Sequence, residues 1–334
     1  MRAAWIALAV LLAACNGTVD HPTSTSPIPG PMGDTWTTDG ATWRQVAGPG
    51  PAPRYLATLA YDAPRDDYVL FGGQAGAVSF DDTWTWNGRS WKQMAPAHKP
   101  PPRRSAAMAY DPNRRVVILY GGLIPDQAEG YEGADTWAWD GKDWTELGPA
   151  KGAPGPREGA RMVTTDDGVL LFGGHLGNVT YHADAWTWNG TAWSGVDGDR
   201  RPPGRGSAAV AWDQARHSLF VFGGIGFNAT GGPGAQGTLL GDTWILAGGQ
   251  WISAVPAGPP PLSFANAIWD PSAKRVLILL GMRCPNPTSD EWAWDGAKWS
   301  DAGPVAVPPR WGAASAQDPD GKVVVFGGSN EAGC

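Results

Sequence analysis

Hydrophobic and polar positions in this chain follow two short-range patterns, and neither has the period of a helix. In Asp82-Thr-Trp-Thr-Trp-Asn-Gly-Arg-Ser-Trp91, Trp84 and Trp86 stand two apart, so on an extended strand they share a face. Asn87-Gly88 follows, a pair suited to the positive φ angles of a tight hairpin, and Trp91 then opens another strand. Asp140-Gly141, Asn189-Gly190 and Asp295-Gly296 repeat that turn. The second pattern is a continuous apolar run stopped by two glycines, as in Val116 to Tyr120 before Gly121-Gly122. It recurs before Gly72-Gly73, Gly173-Gly174, Gly223-Gly224 and Gly327-Gly328, and in weakened form at Leu280-Gly281-Met282.

The Trp-rich stretch is written six times, beginning at Asp34, Asp82, Asp135, Asp184, Asp242 and Asp290. A period near 50 residues signals a repeat architecture, and each period here reads as four short strands, one propeller blade. The first copy, Asp34 to Val46, holds only the two Trp strands, whereas the last stretch, Arg310 to Gly328, holds only the other two. Five complete units lie between, at about 54–95, 103–147, 157–196, 205–254 and 262–302. The expected fold is therefore all-β: a six-bladed propeller over residues 34–334, closed by pairing the terminal half-units, which removes free strand edges. The Pro-Arg start, the Gly-Gly after the second strand and the Trp of the fourth resemble the kelch repeat, in the form found in galactose-oxidase-type propellers. This resemblance covers about residues 34 to 328. It implies the fold and leaves function open, because such propellers host binding proteins and enzymes alike.

Three regularities fit a ring. An alanine stands at the same place in each first strand (Ala57, Ala106, Ala160, Ala208, Ala265, Ala313), as expected where strands crowd an axial channel. Sixteen of the 20 tryptophans occupy repeat positions, which assigns them to packing rather than to a sugar-stacking surface. Arg54, Arg103, Arg157, Arg205 and Arg310 recur, with Leu262 the exception, and an Asp opens every Trp strand; charge-assisted bonds between them are expected to tie neighbouring blades and loops.

The N-terminus differs. Met1-Arg2 and the apolar stretch Ala3 to Ala14 form an export signal too short to span a bilayer as a mature helix. Leu12-Ala13-Ala14-Cys15 resembles a bacterial lipobox, which implies removal of residues 1–14, lipidation of Cys15 and a flexible tether over 15–33. The expected location is the cell envelope, with a lipid anchor as the only membrane contact. A net charge of −7 argues against a nucleic-acid partner, which would want a basic stripe. Cys284 and Cys334 fall in equivalent loops of adjacent blades, and export permits a disulfide between them.

In kelch-like propellers ligands meet the channel mouth, so the residues just after the repeat Arg are the candidates. These are Tyr55, Arg104, Glu158, Gly206, Ser263 and Trp311, different in every blade where packing positions are uniform. Arg161 and Asn266 replace the small residue found one step past the repeat alanine in other units, and Gln74, His175 and Arg283 lie within reach from the loops. Such a set suits a polar, anionic or sugar-like ligand. The Gly-rich loop 225–241 could cover the mouth but lacks the Gly-Lys-Ser/Thr and following helix of a phosphate loop. No metal site or cofactor is expected. The leading reading is a monomeric binding scaffold for a protein or glycan. The alternative is a carbohydrate-active enzyme such as a sialic-acid-type mutarotase, with Glu158 and Arg104 or Arg161 as its only acid–base set. A copper sugar oxidase is the weaker form, drawn from the Tyr181-His182 dyad and Cys284, because the C-terminal domain supplying a copper ligand in that family is missing.

Overall fold

The computed structural model describes residues 29–333 apart from 41, 126–130, 149–151, 178–179, 197, 228–236 and 255–257. Cys15, the signal segment, most of the tether, the centre of the Gly-rich loop and Cys334 lie outside the described residues.

The described chain is all-β, with no helix, and its long strands form six four-stranded antiparallel sheets. Sheet I comprises Thr58–Asp62, Asp67–Phe71, Thr83–Trp86 and Trp91–Gln93. Sheet II comprises Ala107–Asp111, Val116–Tyr120, Thr136–Trp139 and Trp144–Glu146. Sheets III, IV and V repeat this order from Arg161–Thr165, Ala209–Asp213 and Asn266–Asp270 respectively. Sheet VI is assembled from both ends of the described chain: Ala314–Gln317 and Val323–Phe326 are followed in space by Thr35–Thr38 and Trp43–Val46. Its register sets Thr35 opposite Phe326 and Trp36 opposite Val325.

The apolar run is the second strand of each sheet, flanked on both edges and covered on both faces. Val69, Leu70, Val117, Ile118 and Leu119 are wholly buried. Between each consecutive pair of sheets lies one hydrophobic cluster; the seam of sheets I and II, for example, buries Phe71, Trp139 and Trp144. A buried aromatic side chain removes about 150–250 Å² from water, a gross stabilisation of about 4–6 kcal/mol each before entropy is counted.

The two glycines after this strand have separate causes. A Cβ on Gly72 would lie 2.4 Å from the Arg103 carbonyl oxygen of the next sheet, and one on Gly73 would lie 2.8 Å from the Ala57 methyl of its own sheet. Both adopt positive φ, at 68° and 96°. The repeat alanine is small because it faces this second glycine as well as the axis.

The repeat arginines join sheets in a way their spacing did not reveal. The main chain of Arg103 bonds the preceding sheet's loop, donating to Phe80 and accepting from Gly73. Its guanidinium, buried to 1% exposure, makes a two-pronged pair with Asp135 of its own sheet at 2.8 and 2.7 Å and also donates to the Gly121 carbonyl. Arg54–Asp82, Arg157–Asp184, Arg205–Asp242 and Arg310–Asp34 repeat the arrangement, the last linking the two ends of the described chain. Each Asp also accepts from the indole two residues on, as Asp135 does from Trp137 at 2.6 Å. Burial pushes these carboxyls up, but the Arg hydrogen bonds and charge outweigh it and leave all five below the usual range.

Candidate functional site: one mouth of the axial cavity

The first strands of the six sheets touch one another in succession, sheet VI to I, then II, III, IV, V and back to VI. They enclose an axial cavity of about 140 Å³, lined by Ala57, Ala106, Ala160, Ala265 and Ala313 among others. At one end the chain makes a second belt from main-chain bonds. Leu56 donates to the Gly312 carbonyl, Ser105 to Leu56, Gly159 to Ser105, Ser207 to Gly159 and Phe264 to Ser207, at 2.7–2.9 Å. All six residues hold positive φ between 54° and 66°. Leu56, Ser105, Ser207 and Phe264 are not glycines, so the belt keeps four side chains in a region they rarely visit. Sequence reasoning passed over this position. The signal was there: Gly159 and Gly312 occupy it in two of the six repeats.

This belt positions the candidate residues. Each residue before it pairs with the residue after the glycine pair: Tyr55 with Gln74, Arg104 with Leu123, Glu158 with His175, Ser263 with Met282 and Trp311 with Ser329. Gly206 is placed likewise opposite Ile225. The sequence-derived positions therefore do share one mouth, where they divide into two halves. On sheets V, VI and I the rings of Phe264, Trp311 and Tyr55 form a chain with centroids 5.2 Å apart at each step. Phe264 belongs to this group and was missed. On sheets I to III, Arg104 donates to Gln74 Oε1 at 2.5 Å, and its Nε lies 3.5 Å from Glu158 Oε2. His175 stands beside Gly159 and Gly206 and packs at 5.5 Å on Tyr181, which meets Phe227 edge-on at 4.9 Å. Burial pushes the Tyr181 hydroxyl up.

Three candidates fall elsewhere, and a fourth is at the mouth but closed off. Arg283 is exposed and pairs with Asp290 at 3.0 Å. Ser263 is buried to 1%, its hydroxyl without a partner. Arg161 and Asn266 lie deeper, in the axial cavity itself. Near the mouth, Asp184 is committed to Arg157, while burial and then the Arg157 charge push His182 down. Among the described residues no group of three metal-ligating side chains occurs, and no described helix is long and apolar enough to cross a membrane.

The opposite end is also aromatic. Tyr61, Tyr110, Trp212 and Trp269 line a recess of about 390 Å³ at the ends of the first strands.

Repeated four-stranded sheets around an axis define the molecule as an all-β propeller. Residues 32–174 match the family model described as the KLHDC2/KLHL20/DRC7 Kelch-repeats domain. The match spans sheets I and II with parts of VI and III, and together with the all-strand architecture it supports a kelch-type propeller. A kelch-repeat domain points to a protein-interaction scaffold. No curated protein matches the chain.

Proposed function

We propose that this chain is a non-enzymatic binding scaffold whose ligand seats across the two-halved mouth. In this reading the six sheets are the blades of one closed ring, sealed by the mixed sheet VI. The protein is exported, anchored through a lipid on Cys15, monomeric, and carries a Cys284–Cys334 bridge. The bond from the Gly333 amide to the Pro285 carbonyl, at 2.9 Å, supports that bridge by holding the C-terminal residues beside Cys284. The observation that carries the binding assignment is the juxtaposition of the Phe264–Trp311–Tyr55 rings with the Gln74–Arg104–Glu158 network around one opening. Half-buried aromatics beside a polar network offer stacking area and orienting bonds to one extended ligand, a peptide or a glycan.

The test is binding of the purified chain to peptide and glycan arrays, followed by titration of the strongest ligand. Trp311→Ala is expected to weaken it roughly tenfold or more, the scale of an aromatic anchor. Unaltered affinity in that variant and in Arg104→Ala would remove the mouth assignment. Anomer exchange of free sugars, followed by NMR and abolished by Glu158→Gln, would instead establish the mutarotase reading.

A further inference from the structure

The axial cavity carries one feature that a ligand at the mouth does not explain. Its described lining contains one charged side chain, Arg161, among alanines, Met108, Met162, Val163, Val210, Asn266 and Ser315. Arg161 Nε donates to the Ala208 carbonyl at 3.1 Å. No described carboxylate pairs with its guanidinium. Burial pulls this arginine down to about 10. Arg161 is half-buried, and a cation held out of bulk water without a counter-charge is disfavoured, since a few waters alone leave its charge uncompensated.

Asn266, at the equivalent position two sheets further round, is 7% exposed. Its Oδ1 accepts from Ser315 Oγ at 2.8 Å, while its Nδ2 has no acceptor in reach. The Nδ2 therefore has donors to spare, as does the guanidinium. Both groups line one cavity and both call for an acceptor, which the guanidinium favours as a negatively charged one.

We propose that the axial cavity binds one small inorganic anion, of halide size, between Arg161 and Asn266. A volume of about 140 Å³ admits such an ion with a few waters. The anion would neutralise Arg161 and satisfy Asn266, locking sheets III, IV and V together from inside. This assignment is independent of what the mouth binds.

Bromide is the probe. Crystals of the full chain soaked in bromide are expected to give an anomalous peak in the cavity within hydrogen-bonding distance of both side chains. In solution at constant ionic strength, exchanging gluconate for bromide is expected to raise Tm saturably. Arg161→Gln should abolish that response, and Asn266→Ala should weaken the apparent affinity roughly tenfold, the scale of one bond to a charged group. If Arg161→Gln does not fold, Asn266→Asp is the second variant; its added carboxylate should eliminate the bromide response. A cavity without an anomalous peak at saturating bromide overturns the proposal, as does an equal response in the variants.

Discussion

The seam between sheets I and II and the seam between sheets V and VI are built from the same repeat positions, yet they are filled differently. The first buries Phe71, Trp139 and Trp144, and Trp144 Nε1 crosses it to Thr83 Oγ1 at 2.9 Å. The same staple joins Trp91 to Thr35, Trp193 to Thr136 and Trp299 to Thr243. The second buries only aliphatic side chains, with Trp36 and Trp43 half-buried at its margin. Where the staple threonine should stand it has Glu291, at a register shift between Glu291 and Trp292. Leu280 takes the glycine position at φ 62°, while the clamp arginine of this seam, Arg310, is kept and pairs with Asp34. A groove of about 610 Å³ opens here, against about 240 Å³ beside sheets I and II. The difference teaches that staple and glycine work as a set. Where staple and glycine are replaced together the aromatic fill goes too, although the clamp is kept, next to the sheet assembled from both ends of the described chain.

The comparison breaks most directly at Arg103. Its replacement by Ala leaves Asp135 half-buried and the Gly121 carbonyl without its donor, and should cost about 3–5 kcal/mol in urea unfolding. A loss below about 1 kcal/mol would mean that the clamp shared by both seams is ornamental.

Acid should then expose the clamps collectively. Folded-state carboxyl pKa values lie below their unfolded values in all five pairs, so their stabilisation is fully present above about pH 4. It is lost as pH falls through the lower folded values. Stability measured from pH 6 to pH 2 should fall less steeply in Arg103→Ala than in the unaltered chain; identical slopes would contradict the assignment.

Glu291 has the opposite sign. Burial pushes its carboxyl up, with Arg275 only partly offsetting, so the ionised form opposes folding at neutral pH. Glu291→Thr should stabilise by about 1 kcal/mol through removal of that charge and a restored bond from Trp43. The gain should shrink as pH falls and the native glutamate takes up a proton, which thermal melts at pH 7 and pH 4.5 would reveal.

The smallest effect is expected at sheets III and IV. Trp251 Nε1 is buried without a partner, and the position that supplies a threonine elsewhere is Ala185. Ala185→Thr should add about 0.5–1.5 kcal/mol; a loss would show that the site cannot admit the larger side chain.

Much of this was legible beforehand. The Asp-Thr-Trp-x-Trp stretches, the Asn-Gly turns and the glycine-stopped runs each encode a local rule, so strand order followed from the string. The half-repeats at Asp34 and Arg310 foretold that these segments share a sheet, because each lacks the two strands the other supplies. The mouth residues were legible as a class, since their variability stood out against uniform neighbours. Their grouping was not: Phe264 joins the Trp311–Tyr55 chain through a belt of left-handed residues that no hydrophobic pattern announces. Nor was the direction of the clamps, because one arginine uses its main chain on one sheet and its side chain on the next.

The sequence by itself determined the repeat, the strand pairing within each period and the positions where identity is free, because these rest on periodicity and turn chemistry over a few residues. Only the tertiary structure decided that Arg161 and Asn266 face one cavity, that Trp251 lacks its hydroxyl and that the sheet V–VI seam lacks aromatic fill. Those outcomes depend on which side chains some fifty or a hundred residues apart meet across a seam or an axis, and a one-dimensional pattern does not specify which of two similar repeats will be neighbours to a given atom.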